Sequence, residues 1–308
     1  MSSHRPQLLA ACWTSAGDVM PARGPATSPV DIRERVKAVG DAGYTGFGLN
    51  HADLVVARET IGLPTLAQLL DDNGISTVQL EWITNWWCTG ERRRQSDAVR
   101  QDLFDASETL PVDHIKVGAD DDGNPVPYEQ LRQGFYDLAE AGQQTGVKIA
   151  FENTPFSHHI RTTGQAIDFV TQVGHPNGGL MLDIWHAYRG RTPYAEVTRL
   201  LPLQYLFGVE LDDGLETVTG TDMEDTFDNR LLCGEGQFDL PQFIAAVRAI
   251  GWTGLWGVEH MSSQFRQIPI QDALVQARDA ALTCFAAADD LEHGPAGTPV
   301  RAAVLRDA

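Results

Sequence analysis

The chain has 308 residues, of which 43% are hydrophobic and 21% charged, and it carries a net charge of −19. That balance suits a soluble domain with a substantial core. The acidic field repels phosphate backbones and anionic lipid, which sets nucleic acid and membrane surfaces aside as partners.

Eight short, β-rich apolar runs punctuate the chain, separated by stretches of helical period and Gly-containing turns. "QLLAACW" (7–13) comes first. "SPVDIRERVKAVGDAG" then reads as a helix with Ser28 as N-cap, Pro29 in the first turn and Gly43 as its stop. "YTGFGLN" (44–50), "STVQLEWI" (76–83) and "DHIKVGA" (113–119) follow. "PYEQLRQGFYDLAEAGQQTG" places Leu131, Phe135, Leu138 and Ala139 on one helical stripe, ahead of "VKIAFEN" (147–153). "GLMLDIW" (179–185), "YLFGVEL" (205–211) and "GLWGVEH" (254–260) complete the series. The helical patterns "LPQFIAAVRAIG" and "PIQDALVQARDAALTCFAA" lie on either side of the last run.

The runs are almost continuously apolar, as strands covered on both faces must be. Eight strand–helix pairs predict a (β/α)8 barrel over residues 1–288, with a short C-terminal extension over 289–308. A doubly wound open sheet is the competing architecture, but no Gly-rich dinucleotide fingerprint follows the first run. Cys12, Cys88, Cys233 and Cys284 have no paired spacing, and the N-terminal apolar run is too short for a signal peptide. No stretch approaches the roughly 18 apolar residues of a membrane span. A cytoplasmic protein is therefore expected.

In such a barrel, chemistry belongs at the C-terminal ends of the strands. Asn50 and His51 end the second run, and Glu81 and then Trp86 and Trp87 end the third. His114 and Lys116 lie on the fourth, Glu152 and Asn153 end the fifth, and Asp183 with His186 ends the sixth. Glu210, Asp212 and Asp213 close the seventh, and Glu259 and His260 the eighth. Glu152, Asp183, Glu210 and Glu259 thus occupy equivalent depths on successive strands. Converging carboxylates are costly unless a cation sits among them, and an all-oxygen set suits one divalent ion, Mn2+ foremost, with Mg2+ or Co2+ as alternatives. The competing explanation makes the same acids helix caps and ion-pair partners. Trp13, Trp82, Trp86, Trp87 and Trp185 fall near strand ends, where aromatic faces suit the C–H faces of a sugar. Lys116 and His51 are further candidates for substrate contact. Arg230 precedes a Gly-Glu-Gly turn and could swing over the site, while Arg266 is as well explained by pairing with an acid.

With "FENTP", "LDIWH", "LLCGEGQFDLPQFIAAVRAIGWTG" and "WGVEH", the chain resembles the xylose isomerase-like TIM-barrel superfamily, in its sugar phosphate isomerase/epimerase branch. The resemblance implies that Glu152, Asp183 and Glu259 bind metal and that His186 contacts substrate or metal. It also implies that Arg230 holds substrate oxygens, and that Glu152 and Glu259 act as the acid–base pair. The family's seventh strand usually carries a His-x-Lys-Asp run, whereas this chain has Glu210-Leu211-Asp212-Asp213, so Glu210 would replace the usual neutral histidine or glutamine ligand and add negative charge.

The implied activity is a metal-dependent sugar isomerase or epimerase working through an enediolate on a ketose or keto-sugar. The alternative is a lyase or dehydratase that uses the same enediolate for β-elimination, from a 3-keto-glycoside in the manner of the C-glycoside deglycosidases or from an inosose. The expected partner is a small sugar, with self-association or a partner subunit as in relatives. A DNA repair enzyme on the same barrel would want more histidines and a basic face. A non-catalytic binding barrel would leave four converging acids unexplained.

Overall fold

The computed structural model describes residues 6–21, 23–118 and 126–293. Its strands are β1 (Leu8–Ala10), β2 (Gly46–Asn50), β3 (Thr77–Ile83), β4 (Val112–Val117), β5 (Lys148–Phe151), β6 (Gly178–Asp183), β7 (Leu206–Leu211) and β8 (Trp256–Val258). They form a closed barrel in sequence order, each parallel to its neighbours, with β8 returning to β1. Each strand lies within one of the apolar runs or starts a single residue ahead of it. Continuous apolarity is what a strand needs when side chains fill the barrel on one face and helices cover the other.

Register levels the strand ends. Asn50 pairs with Glu81, Glu81 with Lys116, and Asp183 with Glu210. Polar and charged residues 27 to 35 positions apart in the chain therefore meet across neighbouring strands near the mouth. On β8, Gly257 pairs with Glu210. A Cβ at Gly257 would come within 2.6 Å of the Glu210 Cγ, so this glycine provides the space in which the Glu210 side chain lies.

The helix Tyr128–Thr145 buries Leu131, Phe135, Leu138 and Ala139 as its stripe requires. One expectation needs correction. The helix that leads into β2 begins at Ile32, not after Ser28, because the Asp31 side chain accepts the Arg33 N–H and supplies the cap. Ser28 is used elsewhere: its hydroxyl donates to the Ala16 carbonyl and its N–H to Asp53. The final helix is Ile270–His293, and residues 294–308 of the expected C-terminal extension lie outside the described residues. No described helix is long and apolar enough to cross a membrane.

Candidate active site

At the end of β6 the strand turns directly into the helix Ile184–Arg189, and Asp183 is its N-cap. The two readings of this residue prove compatible. Its Oδ1 accepts the Trp185 N–H at 2.8 Å, while Oδ2 faces the barrel axis, 3.2 Å from Arg230 Nη1 and 3.6 Å from His186 Nε2. Glu152 follows β5, Glu210 is on β7 and Glu259 follows β8, and all are buried. One carboxylate oxygen from each of Glu152, Asp183, Glu210 and Glu259 lies within 4.8 Å of the others, and Glu152, Asp183 and His186 form a second such group.

Two buried cations stand among these acids. Lys116 Nζ donates to Glu210 at 2.9 Å and Glu259 at 2.9 Å, and it lies 3.2 Å from Glu81 and 3.5 Å from Glu152. Arg230 Nη1 contacts Asp183 at 3.2 Å, Glu259 at 3.2 Å and, closer still, Asp212. Its Nε donates to the Thr226 carbonyl at 3.0 Å, and its guanidinium lies over the Trp185 ring. The Gln79 amide donates to Glu210 at 2.8 Å.

The charge does not balance. Glu81, Glu152, Asp183, Glu210, Asp212 and Glu259 are six buried carboxylates against two buried cations. Burial raises the Glu152 and Glu81 carboxyls, and Lys116 offsets this only in part. Burial and then Glu259 push Glu210 up to about 8, and burial and then Asp183 raise Asp212 well above the usual carboxylate range. Burial opposes the Lys116 ammonium, yet the surrounding glutamates hold its pKa well above the ordinary value. Burial, reinforced by Arg230, lowers His186 so far that its imidazole is neutral. Glu152 Oε1, Glu81 Oε1, Asp212 Oδ1 and His186 Nδ1 are buried without a hydrogen-bond partner among the described residues.

These features fit a divalent cation: clustered oxygen donors, an excess of negative charge and an unpartnered Glu152 oxygen. Lys116 and Arg230 supply two positive charges to six carboxyls, so the remaining acids must either stay protonated or share a bound cation.

Above the acids lies a cavity of about 350 Å3, lined on its floor by Glu81, Lys116, Glu152, His186, Arg230 and Glu259. A larger groove of about 940 Å3, lined among others by Tyr194, Gln237 and Gln242, contains none of the converged acids and carries no chemistry of this kind.

Of the residues singled out from sequence, Lys116, Glu152, Asp183, His186, Glu210, Arg230 and Glu259 come together. Trp13 and Trp82 line the cavity above them, whereas His51, Trp86 and Trp185 lie away from it. His51 is on the helix His51–Thr60 and pairs with Asp102 at 2.8 Å. Trp86 is driven into the core against Phe135 and Phe151, and its indole N–H donates to the Gly118 carbonyl at 3.0 Å. Trp185 is fully buried beneath Arg230 and bonded to Thr226, so it supports the arginine from below. Lys116 reaches the cavity wall, but its ammonium faces four glutamates, which makes it a counter-ion to the acids before anything else.

Other residues were not foreseen in these roles. Asp212 holds Arg230, and Asp213 accepts the backbone N–H groups of Gly214, Gly234, Gly236 and Phe238. The Gly-Glu-Gly turn is therefore wrapped around a carboxylate of its own chain. Arg266 pairs with Asp228 and donates to the Phe227 carbonyl, tying down the helix Asp222–Asp228. Phe156, Met223, Phe227 and Met261 also line the cavity. They belong to loops or a short helix with no strand-end signal to mark them.

Residues 36–283 match the model of the xylose isomerase-like TIM barrel family. A 3-dehydroshikimate dehydratase of Pseudomonas putida is 25% identical over 242 residues, covering 77% of this chain and 37% of its own length. An inosose isomerase of Halalkalibacterium halodurans is 27% identical over 152 residues, covering 47% of this chain and 51% of its own. The chain thus spans well under two thirds of either relative. Among solved structures, the IolI protein with a bound zinc atom superposes with a TM-score of 0.73 at 16% identity, over 90% of this chain and 98% of that one. D-psicose 3-epimerase in the presence of D-fructose gives 0.65 at 17% identity, over 84% and 95%.

Proposed function

The chain belongs to the xylose isomerase-like TIM barrel family, and on that premise we propose that it is an enzyme that removes a proton next to the carbonyl of a keto-sugar or keto-cyclitol and isomerises or epimerises the product. The observation that carries the reading is the convergence of one carboxylate oxygen each from Glu152, Asp183, Glu210 and Glu259 to within 4.8 Å of one another, with the neutral His186 beside them. Glu152, Asp183, Glu210 and Glu259 would hold a divalent ion, Mn2+, Mg2+ or Co2+, whose contribution when bound is Lewis-acid polarisation of the carbonyl oxygen.

Glu152 is the group placed to take the proton, since one of its oxygens has no hydrogen-bond partner and burial raises its basicity. Glu259 is bound to Lys116 and Arg230 and stands across the site as the second member of the pair. Two carboxyls in unlike surroundings are what an acid–base exchange uses. His186, kept neutral, orients a hydroxyl rather than repelling a cation. Arg230 is locked by Asp183, Asp212 and the Thr226 carbonyl, so it offers a fixed positive charge at little reorganisation cost.

Elimination by the same proton abstraction is the second reading. It is favoured by the named activity of the relatives matched over 77% of this chain, which are dehydratases. Incubation in D2O with Mn2+ and a panel of inososes, ketohexoses and 3-dehydroshikimate, followed by NMR, tests both. The expected result is deuterium at the carbon next to the carbonyl, with kcat/KM lost by about 10²–10⁴-fold in Glu152→Gln. A new C=C bond in the product identifies the lyase. An absence of both exchange and elimination across the panel and its metals would sink the proposal.

A further inference from the structure

Above its acid floor the cavity changes character. Trp13 lies beyond β1, Trp82 on β3, Phe156 beyond β5 and Met261 beyond β8, and Met223 and Phe227 are one turn apart on the helix Asp222–Asp228. Met223 is 39% exposed, and Trp13, Trp82, Phe156 and Phe227 are half-buried. A Cβ at Gly118 would come within 2.3 Å of the Trp82 ring, so the chain has no side chain there to displace that indole. Large apolar side chains from several separate segments therefore face one space, an arrangement that marks a surface to be covered by a ligand.

A bare polyol does not match this upper wall. Its polar side chains are Thr154 and Thr226, and the Thr226 hydroxyl already accepts from the Trp185 indole. A phosphorylated sugar fits no better. The two cations of the cavity, Lys116 and Arg230, already face carboxylates, so a phosphate would meet the acids' surplus charge among the described residues.

We propose that the natural substrate is unphosphorylated and carries an apolar substituent of aromatic size beside its keto-polyol part. The polyol lies on the acid floor and the substituent lies against Trp13, Trp82, Phe156, Met223 and Phe227. The inference rests on the reading of the floor as the site of proton abstraction, and it adds the class of group that must occupy the remaining space. An apolar substituent removes both its own surface and the exposed aromatic wall from water, and both are gains in free energy.

The test uses inert probes on the intact, Mn2+-supplemented protein. Calorimetry and saturation-transfer NMR compare phenyl β-D-glucopyranoside with methyl β-D-glucopyranoside and with glucose 6-phosphate, and scyllo-inosose reports separately on the floor. The phenyl glucoside should bind at least tenfold more tightly than the methyl glucoside, about 1.4 kcal/mol. Its ring protons should receive the strongest saturation, and glucose 6-phosphate should bind most weakly. Met223→Gln and Phe156→Ser should each erode the phenyl advantage while leaving scyllo-inosose binding unchanged. Equal affinity for the two glucosides, or a phenyl advantage indifferent to both substitutions, overturns the inference. If scyllo-inosose still binds in that case, the proton-abstraction reading survives. If neither scyllo-inosose nor any glucoside binds, the floor reading fails and the inference falls with it.

Discussion

Lys116 is 1% exposed, with four glutamates, on or just beyond four other strands, within 3.5 Å of its ammonium. Burying an ion costs several kcal/mol, which its partners must offset. Lys116→Met strands those glutamates in a dry site and should cost about 3–5 kcal/mol by urea denaturation. Lys116→Met combined with Glu210→Gln removes both members of one of its two 2.9 Å pairs and should recover part of that loss. If the double variant is no more stable than the single one, Lys116 is not the counter-ion of Glu210. The sequence marked Lys116 as a residue near the mouth, but it could not distinguish a substrate contact from a counter-ion. That distinction depends on distances to strands as many as 143 positions away.

At the scale of elements, local rules predicted most of what they govern, and the errors came where two local signals competed. Ser28 and Asp31 both precede the helix Ile32–Asp41, and both are good caps. Asp31 wins because Ser28 is held by Ala16 and Asp53. Asp31→Ala should therefore cost about 1 kcal/mol in denaturant unfolding through loss of the cap. An unchanged midpoint would count against that assignment. A similar competition decided the tryptophans. Trp86 and Trp87 follow β3 in a loop that reads as polar, yet both are 2% exposed, packed edge to face with ring centroids 4.9 Å apart. The helix Tyr128–Thr145 and β5 bring Phe135 and Phe151 against Trp86, and a contact of that range leaves no trace in local periodicity. Trp82, on the strand itself, faces the cavity instead.

For the whole molecule, closing the barrel gathers negative charge, and that has consequences for stability. Glu210 has a folded pKa near 8 against an ordinary 4.5. A carboxyl raised in this way supports the fold while it stays protonated, and that support is lost as pH rises from about 4.5 through about 8. In the presence of a chelator the melting temperature should therefore fall across that window. Added Mn2+ should raise it, and by more at pH 8 than at pH 5, because the ligands must be ionised to bind. A chelated protein whose melting point is flat over this range, and unmoved by divalent ions, would argue against the metal site.

The sequence by itself determined the eight strands, their parallel order and the acids at their ends. Strand length, continuous apolarity and the position of a charge after an apolar run are local properties, and a (β/α)8 barrel turns them directly into a site at one mouth. Only the tertiary structure decided which polar residues face one another. It set Lys116 among the glutamates, turned Asp213 inward to hold its own glycine turn, and raised a wall of Trp13, Trp82, Phe156, Met223 and Phe227 over the acids. Those outcomes follow from strand register and from how loops pack across the mouth, where residues far apart in the chain compete for the same few ångströms.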